Sequence, residues 1–398
     1  MNGVQHPWSA MPAAELILRN ARIVRPDGVV AGDVLVRDGR IADIAAAAPG
    51  HGGEDLGGDW LLPGLVELHT DHLESHYAPR PGVRWNADAA LLAHDAQIAA
   101  SGITTVFDAL RVGTDEDVRF TAADMRTLAD AVAAGRRAGR LRAEHFIHLR
   151  CEVSSADALA GFETLEGSPD VRLASLMDHT PGQRQFTSLE AHRIYYQGKT
   201  GMSDAEFDLF VERRRGNAAE WSEPNRAAIA ERCRDRGIRL ASHDDATVEH
   251  VAEARRDGAT LCEFPTTLEA ATAARASGMQ ILMGAPNVVR GGSHSGNVAA
   301  GTLAAAGLLD VLSSDYVPFS LIHAAFLLAE ALPGGIAAAV QLVSVRPADA
   351  AGLADRGAIE IDRRADLVQV SAPTHGSVEA AGAVPVVRRV WREGRRVA

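Results

Sequence analysis

The feature that most constrains this chain is an alternation: eight short apolar runs suited to strands recur between Ala-rich stretches suited to helices. The runs are LVELHTD (65–71), TTVFDAL (104–110), EHFIHLRCEV (144–153), RLASLMDHT (172–180), RLASHDD (239–245), TLCEFPTT (260–267), QILMGAPNV (280–288) and DVLSSDY (310–316). Strands that are apolar throughout are covered on both faces, as in a parallel sheet packed under crossover helices. Segments such as ADAALLAHDAQIAASG, FTAADMRTLADAVAAGRRAG, NRAAIAERCRDRG and TTLEAATAARASG supply the helices, several closing with Gly where a left-handed residue ends the last turn. Eight such units predict an α/β fold of the closed (β/α)8 TIM-barrel type.

Both chain ends carry a different pattern. ELILRN, ARIV and DVLVRDGRIADI before residue 45, and ADLVQV and PVVRRVWREGRRV after residue 364, alternate around DG and EG pairs that signal hairpins. The expected organisation is a small β-sandwich domain from residues 14–62 and 357–398, flanking a barrel domain over 63–356. The connection from His179 to Arg239 is far longer than a βα loop requires, and is expected to lie over the barrel mouth as a functional insertion.

Composition excludes several classes. A formal net charge of −12 over 398 residues argues against coating nucleic acid, which needs surplus Lys and Arg. Three scattered cysteines (Cys151, Cys233, Cys262) support neither a disulfide framework nor a thiolate zinc knuckle, and fit a reducing, cytoplasmic setting. No signal peptide is read at the N-terminus, and the apolar stretches fall short of the ~18–20 residues a bilayer span needs. No membrane partner is expected; the oligomeric state is open, a homo-oligomer included.

Polar residues gather at the C-terminal ends of the strand runs, the face that carries active sites in such barrels. His69 and Asp71 stand two apart, which on a strand puts them on one face, within reach of a common metal ion. Glu152, His179, His243 and Asp315 close later strands, and this mixture of nitrogen and oxygen ligands suits Zn²⁺ or Mn²⁺. Glu152 could instead pair with Arg150, and His179 could bind substrate or cap a helix. Asp315 is read as a metal-contacting general base, while Glu263 and Asp108 could orient ligand histidines through their second N–H.

A second constellation suits an anion. GAPNVVRGGSHSGN sets Arg290, Gly291, Gly292, Ser293 and His294 after the seventh run, where amides and a guanidinium can hold phosphate oxygens. Arg184 adds a cation in TPGQRQF. Of the 40 basic residues only Lys199 is lysine, in YYQGKTG, and it is read as a phosphate ligand, with a carbamylated metal bridge as the alternative.

Taken together, the HxD of strand one, the strand-three carboxylate, the strand-five histidine and the strand-eight aspartate between two terminal β segments resemble the amidohydrolase superfamily of metal-dependent hydrolases. More narrowly, ELHTDHLE, PRPGVRW, SLMDHTPGQRQF, SHDDAT, LMGAPNVVRGGSHSGN and LSSDY are similar to a diphosphatase group of the carbon–phosphorus lyase pathway, over residues 16–397. That resemblance implies hydrolysis of a small-molecule ribose triphosphate, α-D-ribose 1-methylphosphonate 5-triphosphate, to the 5-phosphate and pyrophosphate. It also implies one or two divalent ions (Zn, Mn or Fe) per chain. Two departures leave the metal count open: Asp71 replaces the superfamily's usual second strand-one histidine, and Glu263 stands where many members have a strand-six histidine. The alternatives are a C–N hydrolase or deaminase, which predicts a neutral pocket, and a non-catalytic binding subunit of the phosphonate-degrading machinery, which has no need of clustered ligands.

Overall fold

A computed structural model of the protein describes residues 15–46, 52–114, 120–185, 189–293, 296–372 and 384–398. Its centre is a parallel sheet of eight strands in sequence order: Leu65–Thr70, Ile103–Val112, Glu144–Glu152, Val171–Met177, Arg239–His243, Leu261–Glu263, Gln280–Gly284 and Val311–Ser313. A parallel bridge between Thr70 and Asp315 closes the last strand onto the first. At that seam Asp315 N donates to His69 O (3.1 Å) and Thr70 Oγ1 to Asp315 O (2.8 Å). Lower down the carbonyls of Leu342 and Val343 accept from Leu312 N and Val66 N (2.8 and 2.9 Å), so backbone groups at the junction stay paired.

The barrel floor takes residues from all eight strands: Val66 and Leu68, Phe107, Phe146, Leu173, Ala241, Leu261, Leu282 and Val311 form one buried cluster. The helices pack outside with side-chain caps where the sequence offers them. Asn86 accepts from Ala89 N ahead of helix Ala87–Ala100, Thr121 and Asp124 form a capping box, and Thr247 and Thr267 cap two later helices. Among the described residues no helix is long and apolar enough to cross a membrane.

The insertion contains two helices. Leu189–Thr200 leads to Asp204–Arg236, whose start is a Ser203–Glu206 capping box and whose end is Gly237 with φ 66°. Its first half shares a small core of Tyr196, Phe207, Phe210 and Val211, while Ile229, Ala230 and Cys233 in its second half join the barrel's outer core. Asn225 Nδ2 donates to the carbonyls of Val153 and Ser155, and Ser222 Oγ to Asp178 Oδ2 (2.9 Å), which ties this helix to the ends of strands three and four.

Strands from both chain ends meet in a second sheet. One hydrogen-bonded path runs from Arg395–Arg396 through Val386–Arg392, Leu367–Ser371, Trp60–Pro63, Leu16–Arg25 and Gly28–Arg37 to Arg40–Ala46. ELILRN and ARIV form a single strand with a register shift between Leu18 and Ala21, where Asn20 has φ 57°. The path curls back on itself. Ala365 N donates to Gly39 O, Gly394 N to Ala365 O, and Trp391 is buried with Leu18, Val36 and Ile41. Gly64 lies between this sheet and the barrel, and a Cβ there would fall 2.2 Å from Thr104 Oγ1.

Candidate metal centre and cleft

Strand periodicity raises the floor into a polar layer. Above Phe146 the same face of strand three carries His148, Arg150 and Glu152; above Ala241 comes His243, above Leu261 Glu263, and above Leu173 Ser175. In the lower tier His69 Nδ1 stands 3.2 Å from Glu263 Oε2, which also accepts from Ser175 Oγ (2.6 Å). His148 donates through Nδ1 to Leu68 O (2.9 Å), touches Ser175 Oγ through Nε2, and its ring centroid is 4.9 Å from that of His69. Burial pushes His69 well below the usual histidine range and His148 down to about 3, so both rings are neutral near pH 7 and keep a lone pair.

The upper tier sits where strands three, four, five and eight end. His179 Nδ1 meets Glu152 Oε2 at 2.6 Å, and Glu152 Oε1 also accepts from His179 N (3.1 Å) and lies 3.6 Å from Arg214 Nη2. Burial opposes ionisation of Glu152, but His179 and Arg214 outweigh it and hold the carboxyl below its ordinary range. Asp244 Oδ2 is 3.0 Å from His243 Nδ1 and 3.7 Å from His179 Nε2. Apart from this mutual approach, buried His243 Nδ1 and Asp244 Oδ2 have no hydrogen-bond partner, and Glu263 Oε1 in the tier below is unsatisfied. Burying unpartnered lone pairs is costly, and their convergence from several strands suits a cation. Two groups meet the spacing of a metal site here: His69, His148 and Glu263, and His179, His243 and Asp244.

Backbone strain marks the same level. Asp244, Phe264 and Asp315, next to the ends of strands five, six and eight, all have positive φ of 52–55°. Non-glycine residues occupy that region at a cost, and such strain collects at functional sites. Burial, followed by the charge of Asp71, pushes the Asp315 carboxyl up to about 7.

These groups open into a cleft with about 810 Å³ of empty space. It is lined by His69, His179, His243, Asp244 and Asp315 with Phe264 and Met283; Arg290, Gly292 and Ser293 reach it from the segment after strand seven, and Arg150 from strand three across the barrel.

Not every expected residue arrives there. Strand one ends at Thr70, and Asp71 becomes the N-cap of helix His72–Tyr77 with φ −93° and ψ 12°, so the two-residue rule linking it to His69 no longer applies. Its carboxylate turns to Arg150 (3.2 Å) and Arg111 (4.0 Å), and Arg150 thereby pairs with Asp71 rather than with Glu152. Arg184, expected to bind substrate, is buried and engages Asp245 (2.8 Å) and Glu253 (2.6 Å) instead of the cleft. Asp108 is on the outer face of strand two, against His94 and His145 (2.7 Å each), and orients no histidine of the mouth, whereas Glu263 does contact His69. The seventh strand stops at Gly284, because Ala285–Val289 forms a short helix with Pro286 in its first turn, and Arg290 follows that helix rather than a strand. Gly291 follows on the rim with φ 76°. Lys199 belongs to helix Leu189–Thr200 of the insertion, away from any barrel strand; its side chain, and His294 entirely, lie outside the described residues.

Sequence reasoning missed His148 in the lower tier, and Asn287, Asn297 and Tyr316 in the cleft lining. His148 was detectable: once Glu152 faces inward, counting back in twos along EHFIHLRCE gives Arg150 and His148. The asparagines and Tyr316 occupy irregular segments without such a rule.

A parallel barrel with imidazoles and carboxylates converging on its C-terminal mouth defines the class of metal-dependent barrel hydrolases. The chain belongs to the amidohydrolase family, whose model matches residues 86–398. It is 47% identical over 392 residues to the Escherichia coli (strain K12) alpha-D-ribose 1-methylphosphonate 5-triphosphate diphosphatase, covering 96% of this chain and 100% of that one. Among solved structures, N-acetyl-D-glucosamine-6-phosphate deacetylase from Mycobacterium smegmatis matches with a TM-score of 0.60 at 17% identity, covering 96% of this chain and all of the other. A D-hydantoinase matches with 0.58 at 16% identity over 96% and 95% of the two chains. Those two likenesses concern the fold alone.

Proposed function

We propose that this protein is a metal-dependent phosphoanhydride hydrolase that converts α-D-ribose 1-methylphosphonate 5-triphosphate to the 5-phosphate and pyrophosphate. The observation that carries the reading is the shared cleft, in which clustered imidazoles and carboxylates lie together with Arg290 and the glycine-rich segment after it, and with Arg150 of strand three. Identity of 47% to the Escherichia coli diphosphatase over its whole length supports the same substrate. A C–N hydrolase for cyclic amides calls for a neutral pocket, and this rim is cationic.

The upper group fits a divalent ion best: His179, His243 and Asp244 would hold it with Glu152 beside them, and His69 with Asp315 would complete or share the coordination. Zn²⁺, Mn²⁺ and Fe²⁺ all accept this donor set. Bound there, a divalent ion supplies Lewis acidity, making water nucleophilic at neutral pH and polarising a phosphoryl oxygen. Asp315 orients the attacking water and accepts its proton. Arg290 and the amides of Gly291, Gly292 and Ser293 hold the terminal phosphates and stabilise charge as pyrophosphate departs. Glu263 keeps the His69 ring in place through Nδ1, and Arg214 keeps Glu152 ionised.

The test is hydrolysis of ribose 5-triphosphate derivatives by the purified protein with Mn²⁺, Zn²⁺ or Fe²⁺, followed by ³¹P NMR. Pyrophosphate as the product supports the reading. Stepwise release of inorganic phosphate, or no reaction with any of the three ions, overturns it.

A further inference from the structure

Arg150 lines the cleft together with His69, His243 and Asp315, yet it spends little of its hydrogen-bonding capacity on protein. A guanidinium carries five N–H donors. Among the described residues its one hydrogen bond runs from Nη1 to Asp71 Oδ2 (3.2 Å), and its Nε is buried with no acceptor. Arg184, Arg356 and Arg364, also buried, each face two carboxylates. Arg150 has only Asp71, which Arg111 approaches as well (4.0 Å). A largely buried cation short of acceptors is costly until a ligand completes it.

Its place in the barrel says which part of a ligand it would meet. Strand three, which carries Arg150, lies opposite strand seven in the closed ring of eight, and Arg290 comes after strand seven. The two cleft arginines therefore approach from opposite sides. Arg150 stands close to the reacting groups: its charge adds to burial in keeping the His69 ring neutral, and it opposes the upward push of burial and Asp71 on the Asp315 carboxyl. Asp71 is braced from behind, because Arg111 also donates from Nε to Glu74 Oε2 (2.9 Å). Asp71 caps the short helix that contains Glu74, so the start of that helix fixes the angle of the guanidinium.

We propose that Arg150 is a catalytic residue that binds the non-bridging oxygens of the α-phosphoryl group, the one water attacks, and that Asp71 is its positioning residue; this rests on the diphosphatase reading. In the step, the water oxygen bonds to the α-phosphorus and the water proton passes to Asp315. The bond from the α-phosphorus to the oxygen bridging it to the β-phosphorus breaks, and its electron pair leaves on pyrophosphate. Arg150 offsets charge on the α-phosphoryl oxygens during the transfer, while Arg290 and its neighbouring amides keep the terminal phosphates. The phosphate held by Arg150 thus stays on the ribose product, and the phosphates held by Arg290 depart.

The experiment measures turnover, and calorimetric binding of ribose 5-phosphate and of pyrophosphate, in the metal-loaded wild type, Arg150→Lys and Arg290→Ala. Lysine can still pair with Asp71 but lacks the planar fork. Arg150→Lys is expected to lower kcat by about 10²-fold, more than it raises KM, and to weaken ribose 5-phosphate about tenfold while pyrophosphate affinity stays that of the wild type. Arg290→Ala is expected to weaken pyrophosphate and raise KM, with ribose 5-phosphate unaffected. If Arg150→Lys does not fold, Asp71→Asn serves: kcat down about tenfold and weaker ribose 5-phosphate binding, at unchanged metal content, support the positioning role. Lost metal would make Asp71 a ligand and overturn that role. Unchanged kcat and ribose 5-phosphate affinity in Arg150→Lys, beside a wild type that releases pyrophosphate, overturn the proposal and leave the hydrolase reading standing. The binding arm needs no turnover, so it decides the role of Arg150 even where no pyrophosphate is released; a wild type that binds neither product overturns both.

Discussion

Asp315 carries the most at the scale of single residues. Its backbone closes the barrel through Thr70 and His69, its φ of 55° is held by that closure, and its carboxyl faces the cleft. Asp315→Asn keeps the size and loses the proton acceptor. Pyrophosphate release should fall by roughly 10²–10⁴, while metal content by elemental analysis stays that of the wild type. Unchanged rates would remove Asp315 from the role of base. His243→Ala, by contrast, removes a donor from the upper tier, and its signature should be lost metal together with lost activity. Arg290→Ala tests the anion side: exposed on the rim, it should raise KM for the triphosphate about tenfold or more with little effect on melting temperature.

At the scale of elements, the buried set of Asp95, Asp108, His94 and His145 joins helix Ala87–Ala100 to strands two and three. His145 reaches Asp108 at 2.7 Å and Asp95 at 3.2 Å; burial opposes its charge, but the two carboxylates outweigh it and push its pKa up to about 9. A raised folded-state value means that this contribution is complete below the unfolded histidine value of about 6.5. It fades as pH climbs through 9, a change of about 3 kcal/mol at most. Asp108, held far below its ordinary range, contributes in the opposite sense and weakens only on strong acidification. Urea melts at pH 6.5, 8 and 9.5 should show falling stability, and His145→Gln should flatten that slope. The same elements show what sequence could and could not reveal. All eight barrel strands were legible, because burial on both faces writes itself as apolar runs, and so were His69, His179 and His243 at strand ends, whereas His148, two steps of two below Glu152, was not picked out. Asp71, Arg184 and the extent of strand seven were not. Each depends on where a strand stops and the chain turns, and that is set by tertiary partners such as Arg150, Asp245 and the Pro286 helix rather than by periodicity.

Across the whole molecule, the barrel and the chain-end sheet meet where the side chains of Thr104 and Asp366 close on the backbone of Gly64. A Cβ there would come within 2.2 Å of Thr104 Oγ1 and 2.9 Å of Asp366 Cβ, groups from both bodies. Gly64→Ala should therefore cost about 1–3 kcal/mol, read as a lower denaturation midpoint, with the mouth chemistry itself intact in the folded fraction. The chain-end sheet also bears on how the protein is made. Strand Trp60–Pro63 hydrogen-bonds to Leu367–Ser371, a partner translated some three hundred residues later. A nascent chain must therefore hold an apolar ribbon paired along one edge only, to Leu16–Arg25, until that later partner emerges. Shielding of that ribbon, by chaperones or by slow release, would govern the yield of active protein.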